Sequence, residues 1–270
     1  MSVVYWCKTT YYKNFVRKVV DIFADDLLTA GRILLKPNLV SAEAYPTTTH
    51  PRLLEIVLEE LKNLKISEVV VADGPAFNAP EIETIFSSSA IRDVCVRFGV
   101  PLVNLYETKS ESVTSPRDFT FSLFEYPLQF DYVISLPVLK EHTHTKLTGA
   151  LKNQFGYLAR FERLKVHSPL KSLPKVIAEV NAYAKTDLFV VDAMETLVDA
   201  QEIRHGGIKR NLGYMLAGKD PVALDSFGLN LLKRVDAKLE NLGPANIEHI
   251  KLAEKYGVGN LEYESEELCS

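Results

Sequence analysis

The segment YVISLPVLKEHTHTKLTGALKNQFG (132–156) joins a short apolar run to a dense group of cationic and hydrogen-bonding residues. Its first part, YVISLP (132–137), is continuously apolar or small, so it predicts a strand that is buried on both faces of a sheet. The run EVVVAD (68–73) has the same character and stops at Gly74-Pro75. Such strands are covered by helices on both sides, so the two runs predict an α/β fold.

Runs of strand character alternate with runs of helix character along most of the chain. The further predicted strands are VVYWC (3–7), ILLKPN (33–38), PLVNL (101–105), DLFVVDA (187–193) and GYMLAG (213–218). The predicted helices cover residues 13–28, 51–63, 87–99, 172–184, 221–235 and 246–257. This alternation predicts a mostly parallel sheet with helices on both faces.

Residues 1–270 are predicted to form a single α/β domain. Two segments, 106–130 and 138–171, do not follow the alternation and are predicted to project from the sheet as an inserted loop or small subdomain. Within the first of them, the alternating run DFTFSLF (118–124) predicts an edge hairpin. The acidic tail, 261–270, is predicted to be poorly ordered.

Composition and short motifs exclude several classes of function. The chain has a formal net charge of -4, so a general nucleic-acid-binding surface is not expected. No apolar run approaches the ~18 residues of a membrane span, and the N-terminus has no secretory signal.

The three cysteines, Cys7, Cys95 and Cys269, are odd in number and far apart, so they predict neither a disulfide framework nor a metal motif. A reducing, cytoplasmic location without membrane attachment is expected. The sequence also lacks a phosphate loop, a GxGxxG run and a GxSxG elbow.

The charge is distributed unevenly along the chain. Residues 136–175 contain eight Lys or Arg and two acidic residues, a net charge of +6, so the rest of the chain carries -10. A basic island in an acidic protein indicates a local anionic ligand. The alternative is a basic face that is simply solvated.

Conspicuous polar residues follow the predicted strands at the point where each strand ends. They are Lys36 and Asn38, Asp73, Lys140 and His142, Asp192, and Asp220. In open α/β sheets, ligands bind beyond the carboxyl ends of the strands, so the shared position predicts one site.

Most of these residues also have a structural interpretation. Lys36 interrupts an apolar strand, where a lysine is costly without a partner, and this favours a functional role. Asp73 before Gly-Pro is typical of a turn, and Asp220 before Pro221 is typical of a helix cap. Thr148-Gly149 is predicted to open a helix whose N–H groups are free to hold an anion.

A metal site is a further alternative for the histidines in this segment. His142 and His144 lie two residues apart, so in an extended segment they share a face, and Asp73 or Asp192 would complete a ligand set. Two histidines alone do not define a metal site, and a hydrogen-bonding or acid–base role is the commoner one.

The order of seven motifs resembles the family called domain of unknown function 362, from about residue 33 to residue 232. The motifs are KPNLV, TTTHP, VVVADG, VISLPVLKEHTHTKLTGALKNQFG, RFERLKVHS, VVDA and AGKDPVALD. The most specific block is Lys140-x-His142 with TGALKN (148–153). The resemblance implies these site positions: Lys36, Asn38, His50, Lys140, His142, Lys152, Asn153, His167, Asp192 and Asp225.

The resemblance also has an implication for redox chemistry. Members of the family are often fused to, or encoded beside, ferredoxin-like iron–sulfur modules, which implies redox chemistry for some of them. This chain has no cysteine cluster able to hold an iron–sulfur cluster. The resemblance therefore implies that electrons come from a separate ferredoxin-like protein, or that this chain does no redox work.

Two classes of function are open at this stage. In the first, the chain is an enzyme acting on a small carboxylate or phosphate, and Lys36, Lys140 and Lys152 neutralise its charge, assisted by Asn38, His50 and Asn153. In the second, the chain is a non-catalytic binding or assembly module for an anionic cofactor or for an acidic segment of a partner.

The enzyme hypothesis assigns roles to three further residues. His142 or His167 transfers protons, because histidine titrates near neutral pH. Asp192 orients a histidine or binds a cation. The clustered histidines favour the enzyme, since a binding module needs charges more than histidines. The sequence identifies no reaction, cofactor or metal.

Overall fold

The computed structural model describes residues 1–166 and 172–269, and in these residues an eight-stranded sheet forms the centre of the protein. The strands of the chain are β1 (Ser2–Lys8), β2 (Arg32–Pro37), β3 (Glu68–Asp73), β4 (Leu102–Asn104), β5 (Ser110–Thr114), β6 (Thr120–Phe124), β7 (Tyr132–Leu136), β8 (Lys140–His142), β9 (Lys146–Thr148), β10 (Leu188–Val198), β11 (Ile208–Gly218) and β12 (Tyr263–Glu267). The order across the main sheet is β12-β1-β11-β10-β7-β2-β3-β4. The pairs β5–β6 and β8–β9 each form a separate two-stranded sheet.

Strand β11 runs against the other strands of the main sheet. It pairs antiparallel with both β1 and β10, whereas each of the other neighbouring pairs is parallel. The predicted mostly parallel sheet is therefore confirmed. The direction of β11 corrects one expectation, because Asp220 follows this strand and so lies at the opposite edge from the other predicted site residues. Asp220 caps a helix there, accepting hydrogen bonds from Val222 N and Ala223 N at 2.9 and 3.0 Å.

Helices cover both faces of the main sheet. They are α1 (Tyr12–Ile22), α2 (Ala24–Thr29), α3 (Pro51–Asn63), α4 (Ile82–Ser87), α5 (Ala90–Phe98), α6 (Ala150–Asn153), α7 (Arg160–Val166), α8 (Leu173–Tyr183), α9 (Pro221–Leu232) and α10 (Glu248–Lys255). Successive residues of a strand face opposite sides, so Leu34 packs in the core under α8 and α9 while Leu35 packs in the core under α1 and α3. The predicted fold class, an α/β sheet with helices on both faces, is confirmed.

The two segments predicted to project from the sheet each contain a small hairpin. β5 and β6 form the hairpin that the alternation of residues 118–124 predicted, although it pairs with no strand of the main sheet. The β8–β9 hairpin was not predicted. It carries Lys140 and His142 on β8, opposite Thr148 and Lys146 on β9.

The C-terminal tail is ordered, contrary to expectation. β12 pairs with β1 as a parallel edge strand, and Leu268 N donates to Trp6 O at 2.8 Å. A disulfide joins Cys7 to Cys269, so the expectation that the three cysteines form no disulfide is also wrong. Cys95 is the free, buried cysteine of the part of the chain that the structure describes. In the same part of the chain, no helix is long and apolar enough to cross a membrane.

Candidate functional site

A cavity of about 370 Å³ lies at the carboxyl edge of the parallel strands. Its wall is built from segments that follow β2, β3, β7 and β10, as expected for a ligand site in an α/β sheet. Its cationic and imidazole residues are Lys140, His142, His144, Lys152, Arg163 and His205. Its apolar residues are Leu39, Val40, Ala76, Phe77, Phe155 and Ala200. A cavity of this size and mixed lining is typical of small-molecule sites.

A larger cavity, of about 580 Å³, lies at the other edge of the sheet. Its carboxylates already have partners in the protein. Asp131 accepts a hydrogen bond from Arg32 N at 2.7 Å, and Asp187 forms an ion pair with Lys185 at 2.6 Å. We therefore assign the candidate site to the smaller cavity, where Lys140, Lys152 and Arg163 form no ion pair with a carboxylate of the described residues.

Lys36 and Asp73 form a buried ion pair behind the cavity wall. Lys36 Nζ lies 2.7 Å from Asp73 Oδ1, and Asp73 Oδ2 accepts a hydrogen bond from Leu39 N at 2.8 Å. Asn153 completes the cluster by donating to Ser135 Oγ at 2.8 Å. Because Lys36 is neutralised by Asp73, it adds little net charge to the cavity. Asp73 thus serves as the ion-pair partner of Lys36. It is also the turn residue that the sequence indicated, because its carboxylate accepts a hydrogen bond from Gly74 N.

Gly156 allows the buried Lys36–Asp73 pair to lie close to the backbone of the short helical turn at residues 154–157. A Cβ atom at Gly156 would lie 2.3 Å from Asp73 Oδ1 and 2.7 Å from Lys36 Nζ. Such distances are not tolerated by real side chains, so any other residue would displace the pair. The absence of a side chain at Gly156 therefore allows its backbone to pack directly against the Lys36–Asp73 pair.

Lys140 is buried at the start of the β8–β9 hairpin. Its Nζ donates to the backbone oxygen of Thr47, and no carboxylate of the described residues forms an ion pair with it. Burial is the main cause that lowers the pKa of Lys140 to about 7; the field of Glu202 opposes this shift and that of Lys152 adds to it. Lys140 therefore contributes positive potential to the cavity that it lines.

Lys152 is half-buried on α6 and lines the cavity directly. Its Nζ lies 5.2 Å from the centre of the Phe155 ring, and it makes no hydrogen bond or ion pair within residues 1–166 and 172–269. Burial lowers its pKa to about 8, with a further contribution from Arg163. Lys152 is the cation best placed to meet a ligand.

Arg163, on α7, is a buried cation that donates to backbone carbonyls and to Tyr106 Oη at 3.2 Å. It donates to Gly74 O at 2.9 Å, to Gly156 O at 2.6 Å and to Leu158 O at 2.9 Å. Burial lowers its pKa, yet a guanidinium stays protonated in proteins. Arg163 thus joins the segment after β3 to residues 156–158 and adds a positive charge to the cavity wall.

His142 has one ring nitrogen committed to the backbone. Its Nδ1 accepts hydrogen bonds from His144 N at 3.1 Å and from Thr145 N at 3.3 Å. A neutral imidazole with an accepting Nδ1 carries its proton on Nε2. Burial, followed by the fields of Lys152 and His144, holds the pKa of His142 well below its usual range. His142 is therefore a neutral Nε2–H donor.

Asp225 occupies the start of α6, where free N–H groups were expected to hold an anion. Its carboxylate accepts from Ala150 N at 2.6 Å and from Leu151 N at 3.1 Å. A Cβ atom at Gly149 would lie 2.2 Å from Asp225 Oδ1, so the glycine makes room for this carboxylate. The expectation of a ligand at the start of α6 is wrong, because the protein supplies its own anion there.

Asp192 and His50 lie together outside the cavity. Asp192 accepts hydrogen bonds from Tyr12 Oη at 2.8 Å and from Tyr45 Oη at 2.9 Å, and burial raises its pKa to about 6. His50 packs against both tyrosine rings, and its Nδ1 accepts from Arg52 N at the start of α3. The structure thus brings these two predicted residues into a second buried cluster. His167 lies outside the described residues.

Two buried oxygens of the cavity wall lack a hydrogen-bond partner in the described part of the chain. They are Asn38 Oδ1 and Thr148 Oγ1. The backbone N–H of Asn38 donates to Thr49 Oγ1 at 2.7 Å, so Asn38 is held in place while its side-chain oxygen is left over. Buried polar atoms of this kind are costly unless a ligand or water satisfies them.

Three further residues at this edge were not singled out from the sequence. Arg163 lies in RFERLKVHS, one of the seven motifs of the family resemblance, and that motif is the feature of the sequence that could have identified it. Glu202 lines the cavity and is paired with Arg204 at 2.7 Å. His249, on α10, is buried, and neither of its ring nitrogens has a partner among the described residues. Burial and the field of Lys152 lower the pKa of His249 to about 3.

The side chains near the cavity do not form a metal-ligand set. Among residues 1–166 and 172–269, no group of three or more His, Cys, Asp or Glu is arranged to hold a metal ion. The two carboxylates that were considered as ligands have other partners, Asp73 with Lys36 and Asp192 with Tyr12. The described cysteines also do not suit an iron–sulfur cluster, because Cys7 and Cys269 are bonded to each other.

The fold and cavity define an α/β protein with a cationic pocket at the carboxyl edge of its sheet. The chain belongs to the family described as Domain of unknown function (DUF362), whose model matches residues 33–230. It is similar to a thylakoid-associated protein of Synechocystis sp., with 23% identity over 237 residues, covering 84% of this chain and 68% of that protein.

Two solved structures match this chain in a structural comparison. The lactate racemase apoprotein from Thermoanaerobacterium thermosaccharolyticum has a TM-score of 0.52 at 12% identity, covering 81% of this chain and 54% of that chain. A Thermotoga maritima protein has a TM-score of 0.42 at 10% identity, covering 90% and 59%. The chain thus spans little more than half the length of either solved protein. The similarity to the racemase apoprotein shows a shared fold.

Proposed function

We propose that the chain is an enzyme that acts on a small carboxylate or phosphate held in the cavity beside Lys140, Lys152 and Arg163. One observation carries the proposal: no carboxylate of the described residues forms an ion pair with any of these three cations. The carboxylates nearby are already neutralised, Asp73 by Lys36 and Glu202 by Arg204. The wall therefore carries a surplus of positive charge that an anion would balance.

The surplus charge has an energetic consequence. Burying a cation without a counter-charge costs several kcal/mol, and the mutual repulsion of three cations adds to that cost. An anion that enters the cavity offsets both terms at once. Each charge-assisted contact contributes on the order of 1 kcal/mol or more when it is partly buried.

The proton chemistry of the proposal falls to Lys152 and His142. Lys152, with its pKa lowered to about 8, exchanges protons close to neutral pH. His142 offers a fixed Nε2–H that would donate a hydrogen bond to an oxygen of the substrate. This division differs from the sequence-based hypothesis, in which His142 or His167 transfers protons, because burial and neighbouring cations hold His142 neutral.

The alternative, a non-catalytic module for an anionic cofactor or partner segment, would use the same charges. A flat, open basic face would favour it. The concave cavity of about 370 Å³ and the apolar residues of its wall favour a small molecule instead. In the redox form of the proposal, electrons come from a separate ferredoxin-like protein, because the described cysteines do not suit a cluster.

The experiment is a thermal-shift screen of carboxylates and phosphates against wild type, Lys152→Ala and the matched control Lys146→Ala. The lactate racemase of the structural comparison acts on a carboxylate, as its name states, so lactate belongs in the screen. A ligand at 100 times its dissociation constant stabilises the folded state by about 2.7 kcal/mol. We expect this shift in wild type and Lys146→Ala, and its loss in Lys152→Ala. If no anion stabilises wild type, or if Lys152→Ala responds as wild type does, the anion site is refuted.

Conversion of each stabilising anion is then followed by mass spectrometry of the reaction mixture. Chemical change that depends on Lys152 would favour the enzyme. Binding without any change, with or without a ferredoxin-like electron donor, would favour the binding module.

A further inference from the structure

Resting on the proposed anion site, we propose that Lys152 forms an imine with a bound anion that carries a ketone or aldehyde group. The substrate class is thus narrowed from any small anion to an oxo acid or an oxo phosphate. The amine of Lys152 acts as the nucleophile, and the neighbouring cations hold the anionic group of the same molecule.

The contacts of the neighbouring cationic residues identify Lys152 as the nucleophile. Lys36 Nζ is held at 2.7 Å by Asp73, and Lys140 Nζ is held by the backbone oxygen of Thr47. Arg163 donates to backbone carbonyls, and a guanidinium is not a nucleophile at neutral pH. Lys152 lines the cavity, and its Nζ has no polar partner within the residues that the structure describes.

The surroundings of Lys152 make its neutral amine accessible near neutral pH, because burial and the field of Arg163 lower its pKa to about 8. The Phe155 ring has Lys152 Nζ 5.2 Å from its centre and the Arg163 guanidinium 5.8 Å from it, so both cations contact one aromatic side chain. A desolvated lysine beside another cation is the arrangement that activates lysine nucleophiles. A lysine that only bound an anion would gain from staying protonated, whereas burial and Arg163 act against its protonation here.

The reaction balances without an oxidant or reductant. The lone pair of the neutral Nζ attacks the carbonyl carbon, and the C=O π electrons move to oxygen. The C–O bond then breaks, and the oxygen leaves as water with the two hydrogens that the amine loses. A C=N double bond to Lys152 remains. The positive charges of Arg163 and Lys140 attract the carboxylate or phosphate, and the Nε2–H of His142 donates a hydrogen bond to the oxygen that departs.

The test is reductive trapping. Purified protein is incubated with pyruvate, phenylpyruvate or dihydroxyacetone phosphate in the presence of cyanoborohydride, then digested and mapped by mass spectrometry. Lactate and inorganic phosphate, which lack a carbonyl group, serve as ligand controls. Lys152→Arg keeps the charge but removes the nucleophile, and Lys146→Arg makes the same change at an exposed position of the nearby hairpin.

We expect one reduced adduct, located on the peptide that contains Lys152, in wild type and in Lys146→Arg, and complete loss of that adduct in Lys152→Arg. Mapping on wild type locates the adduct whether or not the variant folds. The comparison of pyruvate with dihydroxyacetone phosphate shows whether the anionic group is a carboxylate or a phosphate.

Two results would overturn the imine and leave the anion site intact. One is a thermal shift with the oxo anions but no adduct at Lys152, and the other is labelling spread over surface lysines and unchanged in Lys152→Arg. Absence of a thermal shift with every anion would instead refute the anion site itself, and the imine with it.

Discussion

The ammonium group of Lys36 lies 2.7 Å from a carboxylate oxygen of Asp73, and both side chains are buried at the carboxyl ends of adjacent parallel strands. The pair anchors the floor of the cavity, because Leu39 N and Gly74 N also donate to the Asp73 carboxylate. A lysine inside an apolar strand is thus explained by a partner that follows the neighbouring strand.

Removal of one member of this pair should destabilise the protein strongly. Asp73→Asn leaves the Lys36 charge buried without compensation, so we expect a loss of about 3–5 kcal/mol in the free energy of unfolding. Lys36→Met should cost a similar amount. The double variant should cost less than the sum of the two, because it leaves no buried charge behind. Urea denaturation of the four proteins measures these terms, and strict additivity would contradict the coupling.

The sequence identified Lys36 as an unusual residue but did not identify its partner, Asp73. The cost of a lysine in ILLKPN is visible in the strand itself, whereas Asp73 lies 37 residues away and becomes its partner only when β2 pairs with β3. The same limit applies to Asp225, which reaches the start of α6 from α9. A sequence shows that a polar group needs a partner, and the tertiary structure decides which one.

Strand direction is a second kind of information that the pattern does not contain. GYMLAG is as apolar as its parallel neighbours, and nothing in it reveals that β11 runs the other way and carries Asp220 to the opposite edge. The tail was misjudged for a related reason. YESEE (263–267) lacks an apolar face, yet its backbone pairs with β1 at the edge of the sheet, where side chains remain in water.

Reduction of the disulfide should loosen this edge of the sheet. Cys7 and Cys269 are 262 residues apart, so their bond restricts the unfolded chain and fastens the strand that β12 adds to β1. We expect Cys269→Ser, or treatment with dithiothreitol, to lower the free energy of unfolding by about 2–4 kcal/mol. Calorimetry with and without reductant measures the loss, and Cys95→Ala serves as the control that keeps the bond. Equal stability of the oxidised and reduced protein would show that the edge is held by its backbone pairing.

Affinity for an anion should fall as the pH rises. Burial lowers the pKa of Lys140 to about 7 and that of Lys152 to about 8, so both amines lose their charge across the neutral range. Arg163 keeps its positive charge over this range, since a guanidinium stays protonated in proteins, so the loss of the two lysine charges makes the net potential of the wall less positive. We expect the dissociation constant of propionate, which stays ionised, to increase by about ten-fold or more between about pH 6 and about pH 9.

Isothermal titration of wild type and Lys152→Met measures this dependence. The variant should bind propionate more weakly at low pH and show a smaller change with pH, since one of the two titrating amines is gone. Lys146→Met, on the exposed side of the hairpin, should follow wild type. An affinity in wild type that does not change with pH would mean that neither lysine contributes its charge to the bound anion.

The state of His142 can be observed directly. Because its Nδ1 accepts hydrogen bonds from His144 N and Thr145 N, the neutral ring must carry its proton on Nε2. Burial and the fields of Lys152, His144 and Lys140 lower its pKa, so protonation requires a pH well below the usual range for histidine. This lowered pKa also means that acid destabilises the fold, since the unfolded chain binds the proton more readily than the native one.

Nitrogen-15 NMR of ring-labelled protein should show a neutral Nε2–H tautomer of His142 at neutral pH, and His142→Gln assigns its signals. Lys152→Met should raise the pKa of His142, because it removes the strongest neighbouring charge. An imidazolium signal from His142 near neutral pH would contradict the assignment of this residue as a fixed hydrogen-bond donor.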